Sequence, residues 1–229
     1  MYNYEVHILI SPSEEQYLIS NFRKLRVSLS RIENVTNLKK MATVTTTGIS
    51  KRQPMITFNV INKSESTVKN ITKNVTYIMA HKPFNFNIVR VKIERLLSGN
   101  NHNLQVTDNM YFESHIKIGK YIPSPSDYKK LAQICLKYGV QLLLNPDSRI
   151  IAPVTTLRKY DTTYNDFINL HNQLVNELLD NKFETYKTHI EMGIFDSNVY
   201  TDEGWLFKNG NYKIPITEMD DTRLLVPKY

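Results

Sequence analysis

Apolar positions change period along this chain, and each change marks an element. Residues 2–10 alternate, with Val6, Ile8 and Ile10 on one side and Glu5 and His7 on the other, which predicts a strand. Ser11-Pro12-Ser13-Glu14 then reads as a helix start: a capping Ser, a Pro in the first turn, and acid near the positive end of the helix dipole. Tyr17, Leu18, Phe22 and Leu25 continue at helical spacing, and a second strand is expected from near Val27. Pro54 to Phe58 predicts another strand. Val68, Ile71, Val75 and Met79 form one helical stripe, and Arg90 to Glu94 alternate again.

The same succession returns later. Glu113-Ser114-His115-Ile116-Lys117-Ile118 echoes Glu5-Val6-His7-Ile8-Leu9-Ile10, and Ser124-Pro125-Ser126-Asp127 echoes the helix start at Ser11. Tyr128, Leu131, Ala132 and Cys135 give the next helix its apolar face, and Gly139 suits a left-handed cap. Pro153 to Leu157 aligns with Pro54 to Phe58 at an offset of 99. The stripe Phe167, Leu170, Leu174, Leu178 and the later Phe183 keep that offset from Val68, Ile71, Val75, Met79 and Phe84. A shared offset across a strand, a helix and a Phe indicates one unit written twice.

Each unit reads strand-helix-strand-strand-helix-strand, so the expected fold is α+β with duplicated ferredoxin-like (βαββαβ) halves. The boundaries expected are 1–97 for the first half, 98–109 for a polar linker, 110–195 for the second half, and 196–229 for a C-terminal extension. Residues 34–53 read as extra chain between the two middle strands of the first half, with Thr43 to Thr47 able to add a strand. An Asn-Gly hairpin signal at Asn209-Gly210 marks the extension.

Strand parity then decides which residues can do chemistry. If Val6, Ile8, Ile116, Ile118, Ile93 and Ile190 face the helices, then Glu5, His7, Glu113, His115, Lys117, Lys92, Glu94, His189 and Glu191 face away. First and last strands of each half are neighbours in this fold, so Glu113 and His115 should lie beside His189 and Glu191. Thr156 and Arg158 should approach from the other central strand. Three uses of this polar face stay open: a solvated or self-packing surface, an anion or nucleotide site using His115, Lys117 and Arg158, and metal ligation by His115, His189 and the glutamates. His115 and His189 are the candidate catalytic pair. Glu113, Lys117, Thr156, Arg158 and Glu191 are the candidate binding groups, joined by Asp196, Asn198 and Trp205 from the loop after the last strand. That loop reads as an Asx-type turn, or as a flap that completes a site with Arg158 and Glu191. Two-histidine phosphoesterases place Thr or Ser two residues after each His; Leu9 and Lys117 stand there instead. No paired-Cys site, glycine-rich phosphate loop or nucleophile elbow is present, and no cofactor or metal is expected.

Composition refines this picture in three places. The 229 residues carry a net charge of +7, placed unevenly: residues 1–109 hold 15 Lys/Arg against 7 Asp/Glu, and residues 110–229 hold 14 against 15. The excess lies in a block from Arg23 to Arg52 that suits a nucleotide or nucleic acid, although stacking aromatics are scarce in it. One cysteine, Cys135, leaves no internal disulfide, which fits a reducing compartment. No apolar run spans a bilayer and no signal peptide is legible, so a cytoplasmic monomer or homodimer without membrane contact is expected.

Phe112-Glu113-Ser114-His115-Ile116-Lys117, Val154 to Tyr160, and Asp196-Ser197-Asn198 through Gly204-Trp205 resemble motifs of an uncharacterised two-repeat protein family of giant DNA viruses and bacteria, notably cyanobacteria. The resemblance covers most of the second half and implies no activity. With the composition it implies a viral member acting in the host cytoplasm. The functions that remain are a binding module for an anionic ligand (nucleotide or RNA), a phosphodiesterase or nucleotide hydrolase using histidine acid–base catalysis, and a structural or protein-interaction module.

Overall fold

The first strand, β1 (Tyr2–Ile10), buries Tyr4, Val6, Ile8 and Ile10 on one face, as its alternation requires. The computed structural model describes residues 1–44, 52–97, 101, 103–119, 125–143 and 153–202. After a 3-10 turn at Pro12–Glu14 come α1 (Glu15–Leu29), β2 (Val35–Val44), β3 (Arg52–Asn62), α2 (Glu65–Ala80) and β4 (Ile88–Leu96). The second run is β5 (Gln105–Ile118), α3 (Pro125–Tyr138), β6 (Gln141–Leu143), β7 (Val154–Thr163), α4 (Tyr164–Asp180) and β8 (Thr185–Asp196), ending in a 3-10 turn at Val199–Asp202. The result is an α+β fold: four helices and one eight-stranded sheet in the order β2-β3-β1-β4-β8-β5-β7-β6, antiparallel throughout.

Each run of six elements has the order βαββαβ. Its strands lie β4-β1-β3-β2 in the first run and β8-β5-β7-β6 in the second. The runs meet edge to edge where β4 pairs with β8, so no free edge separates them. Helix faces and sheet then share one apolar cluster. Leu18, Leu25 and Leu29 of α1, Val68, Val75 and Met79 of α2, Leu131 and Cys135 of α3, and Phe167, Leu174 and Leu178 of α4 join Val6, Ile8, Phe58, Phe112, Ile116 and Leu157 of the strands. Each such side chain contributes ~1.5–3 kcal/mol on burial. Ser64 caps α2 by accepting from the Thr67 N–H at 3.4 Å, and Thr163 caps α4 by accepting from the Asp166 N–H at 3.2 Å.

Several boundaries differ from those expected. Val27 does not begin a strand: α1 runs on to Leu29, because Leu25 and Leu29 extend the buried stripe while Val27 points to solvent at 54% exposure. The supposed extra chain from Asn34 contains β2 itself, and Asn34 and Asn37 take left-handed backbone angles at its entry. β5 starts at Gln105, inside the stretch read as linker, and β8 reaches Asp196. Gly139 does adopt the left-handed conformation after α3, with φ of 65°. Trp205, the Asn209-Gly210 hairpin signal and most of the extension lie outside the described residues.

The sheet face away from the helices is the unexpected part. It carries charged residues, yet Glu94 is 0% exposed and Glu113 1%. Gly193 on β8 lies opposite Glu94 of the first run and Tyr111 of its own. Tyr111, its partner on β5, lays its ring across Gly193, and a Cβ at that position would meet the ring, Cε1 included at 2.7 Å. Gly193→Ala should therefore cost ~1–3 kcal/mol in urea unfolding. Adding Tyr111→Ala should make the Gly193→Ala step nearly free. An equal cost in both backgrounds would mean the ring is not the obstacle.

Candidate functional site

Register across the sheet brings the sequence-identified residues together. Glu113 lies opposite Glu191 on one side and Arg158 on the other, and His115 lies opposite His189 and Thr156. In the first run His7 stands opposite Thr57 and Lys92, and Glu5 opposite Glu94. Lys117 is on the same face but exposed, beyond this cluster.

The histidines make matching bonds. His115 Nδ1 is 2.9 Å from Thr156 Oγ1, and its Nε2 is 3.0 Å from Glu113 Oε1. His7 Nδ1 is 2.9 Å from Thr57 Oγ1, and its Nε2 is 3.1 Å from Glu94 Oε2. An ionised carboxylate can only accept, so in the tautomer with the proton on Nε2 each ring would face its carboxylate as a donor and Nδ1 would accept from the threonine hydroxyl. Carboxylate, imidazole and hydroxyl stand in the order that activates a hydroxyl nucleophile. Thr156 is only 2% exposed, however, whereas the His115 side chain is 28% exposed. The group a reactant can reach is the imidazole.

Between the two histidines lies a buried ionic network. Lys92 Nζ is 2.6 Å from Glu94 Oε1 and 2.9 Å from Glu113 Oε1, reaching across β8 to span the two runs. Arg158 donates from Nε to Glu113 Oε2 and from Nη1 to Asp202 Oδ2 at 2.9 Å. Arg90 holds Asp196 and, at 2.7 Å, Asp202, while Gln53 Nε2 donates to Asp202 Oδ1 at 3.3 Å. The loop after β8 is thus pinned onto the open face. Its turn is of Asx type, with the Asn198 N–H donating to Asp196 Oδ1 at 3.2 Å, and Asn198 Nδ2 donating to the Val89 carbonyl at 3.3 Å. The Tyr111 ring receives Arg158 at 4.2 Å and Lys92 at 5.6 Å from its centroid.

Burial and charge together set the protonation states. Burial alone would raise Glu113, but Arg158, Lys92 and the His115 hydrogen bond hold it well below the usual carboxylate range. Burial opposes ionisation of Glu94 too, and Lys92 overrides it, bringing the group down to about 2. Burial would lower Lys92 and Arg158, yet their carboxylate partners push both well up. Glu191 goes the other way: burial, then the nearby Glu94 charge, raise it far above an ordinary glutamate, and the attraction of Lys92 does not compensate. Its nearest ionic contact is His115 Nε2 at 3.7 Å. Burial and charge thus push Glu191 toward its protonated form while Glu94 and Glu113 are held as anions. Glu113, His115 and Glu191 offer donor atoms within 4.8 Å of one another, a spacing a cation could use. Glu113 already faces Lys92, Arg158 and His115, which compete with any metal, so these residues are not assigned as ligands.

Sequence reasoning missed the partnership of Lys92 with both glutamates, the Arg90–Asp202 pair, and Tyr111. Their signal was charge on a strand face otherwise expected to be wet. Among the described residues no helix is long and apolar enough to cross a membrane.

No protein-family model and no curated protein sequence matches the chain. Three solved structures show remote likeness. A candidate monooxygenase from Fusobacterium nucleatum is 10% identical, with 91% of this chain and 97% of that one covered and a TM-score of 0.29. A candidate chlorite dismutase is 9% identical, with coverages of 85% and 96% and a TM-score of 0.30. The chlorite dismutase of Candidatus Nitrospira defluvii, in complex with imidazole, is 9% identical, with coverages of 83% and 90% and a TM-score of 0.29. Likeness at this level assigns no function to the chain.

Two outcomes follow from the network. Lys92→Met leaves Glu94 and Glu113 facing each other without their shared cation and should cost ~3–5 kcal/mol in urea unfolding at pH 7. A loss below 1 kcal/mol would show the bridge to be slack. Glu191 gives a pH signature. Its folded affinity for a proton lies above the ordinary value of 4.5, so above that pH the unfolded chain releases a proton the folded chain keeps. Stability from this group is complete below 4.5 and declines as pH rises toward the folded value. Glu191→Gln removes the titration and should flatten the decline, so the variant gains on wild type as the pH rises above 4.5. Parallel stability curves would refute the raised proton affinity of Glu191.

Proposed function

We propose that the open face of the second run is an acid–base site in which His115 exchanges a proton with a phosphodiester or nucleotide. The observation that carries this is the part-exposed His115 imidazole held between Glu113 and Thr156. Glu113 orients the ring and stabilises its protonated form. Glu191, 3.7 Å from His115 Nε2 and biased toward its protonated form by burial, would when protonated add a hydrogen-bond donor that a carboxylate could not supply. Lys117 and His189 are the groups at the rim for a phosphate, because Arg158 is buried and already held by Glu113 and Asp202. Lys92 and Arg158 neutralise Glu113 beneath the rim, which lowers the repulsion an anion would meet. We also infer that the two runs are copies of one unit, since His7–Thr57 and His115–Thr156 repeat the same bond on equivalent strands.

The test is a panel of cyclic and linear nucleotides assayed with wild type, His115→Ala and Lys117→Ala. Turnover by wild type should fall at least ~100-fold in His115→Ala, while Lys117→Ala should mainly raise KM. Turnover unchanged in His115→Ala, or none by wild type on any member, would remove the reading.

A second reading concerns the basic block. Arg23, Lys24, Arg26 and Arg31 are all exposed along α1 and the turn after it, whereas Arg52 is held by Glu15 and Lys39 by Glu5. This face suits an RNA or nucleotide phosphate. Retention on heparin at low salt, lost steeply as salt rises and weakened by Arg23→Ala with Arg26→Ala, is the expected result. Equal retention of the double variant would place the contact elsewhere.

A further inference from the structure

His7 is the feature that the proposed reaction leaves without a role. It copies the bonds of His115, with Nδ1 on a threonine and Nε2 on a buried glutamate, and its side chain is 15% exposed. Its surroundings are otherwise unlike those of His115. The position two residues on is Leu9, buried, where the other run has exposed Lys117. Across the sheet stands Lys92, where the other run has His189. No rim cation is therefore placed at His7 by the register that supplies Lys117 and His189 to His115. What His7 does have is a direct line to the other histidine: Glu94, then Lys92 at 2.6 Å, then Glu113 at 2.9 Å, then His115 at 3.0 Å.

We propose that His7 is a positioning residue for His115, setting the proton affinity of His115 through the shared ammonium of Lys92. Lys92 has two carboxylates to satisfy and one charge to offer. When His7 is protonated it offsets the charge of Glu94 and repels Lys92, so the Lys92 ammonium shifts toward Glu113. Glu113 then attracts a proton on His115 less strongly. When His7 is neutral, Glu94 draws on Lys92, and Glu113 holds the His115 proton more firmly. Protonation at either ring thus opposes protonation at the other, although three strand spacings, ~14 Å, lie between β1 and β5. No proton passes along the chain; the link is electrostatic, made effective by the dry interior around Lys92.

The other charged groups facing each ring are fixed or distant from the link. Around His7 they are Glu5 on β1, paired with Lys39 of β2, and Glu94 and Lys92 on β4. Around His115 they are Glu113 and Lys117 on β5, Arg158 on β7, and Glu191 and His189 on β8. Arg158 and Asp202 are locked to each other, and Tyr111 is kept neutral by burial. Of all these, Lys92 is the group within ion-pair distance of carboxylates that hold both rings.

The inference rests on the acid–base reading only for its catalytic consequence, and its test does not require turnover. Imidazole titrations followed by nitrogen NMR on the full chain read each ring separately in wild type, His7→Gln and His115→Gln. His7→Gln should raise the His115 midpoint by about half a pH unit, roughly threefold in proton affinity. His115→Gln should raise the His7 midpoint by the same amount, because a coupling free energy is reciprocal. Both neutral rings should carry the proton on Nε2. A purely structural disturbance has no reason to give equal shifts in the two variants. Shifts below a tenth of a unit, unequal shifts, or Nδ1 protonation in either ring overturns the proposal. Lys92→Gln, if it folds, should abolish the mutual shift; if it does not, the two histidine variants decide. Should His7→Gln show the expected shift while no nucleotide is turned over, the acid–base reading fails and the coupling stands.

Discussion

The open face depends on one cation. Lys92 leaves β4, reaches across β8, and meets a glutamate from each run. Without it, Glu94 and Glu113 would be two anions in a dry interior, where a lone charge costs several kcal/mol and an adjacent like charge more. Gly193 is the sequence condition for the bridge, since any side chain there would meet the Tyr111 ring. Tyr111 in turn roofs the bridge, offering its ring to Lys92 and Arg158 and its hydroxyl to Asp196. One glycine, one lysine and one tyrosine thus decide whether the β4–β8 seam can carry charge at all.

From that seam the rest of the cluster follows by satisfaction of leftover charge. Glu113 takes Arg158 on its second oxygen, Arg158 takes Asp202, and Asp202 takes Arg90 and Gln53. The chain beyond β8 is fixed at Asp202 by the same demand. Buried ionic networks contribute little net stability compared with apolar packing of equal volume, and the apolar cluster on the helix side already accounts for the fold. On this face Lys92, Glu94, Glu113, Arg158 and Glu191 are all buried, and the neighbouring carboxyls of Glu113 and Glu191 are pushed in opposite directions.

Parity made half of this legible in the sequence. Val6, Ile8, Ile116 and Ile118 must be covered by helices, so Glu5, His7, Glu113 and His115 had to share the other face, and the repeat predicted which strands would lie beside them. These are local inferences, and a strand's period of two is strict. The burial of that face was not legible, because it depends on β4 meeting β8 and on which side chains reach across. A lysine at position 92 reads as solvated until its partners on another strand are known. The length of α1 was misjudged for a related reason. Val27 favours a strand by propensity, but Leu29 one turn beyond Leu25 had a core to fill, and tertiary burial outweighs propensity.

The two runs differ at several equivalent positions, and one of them bears directly on the paired carboxyls. Glu94 and Glu191 occupy equivalent places on the last strands, two residues beyond Lys92 and His189. Lys92 brings Glu94 down to about 2, whereas burial and the nearby Glu94 charge push Glu191 up despite the attraction of Lys92. The same carboxyl is therefore a fixed counter-charge in the first run and is biased toward its protonated form in the second. The first run spends its equivalent positions on the bridge, and its histidine is left to sense the charge that the bridge distributes.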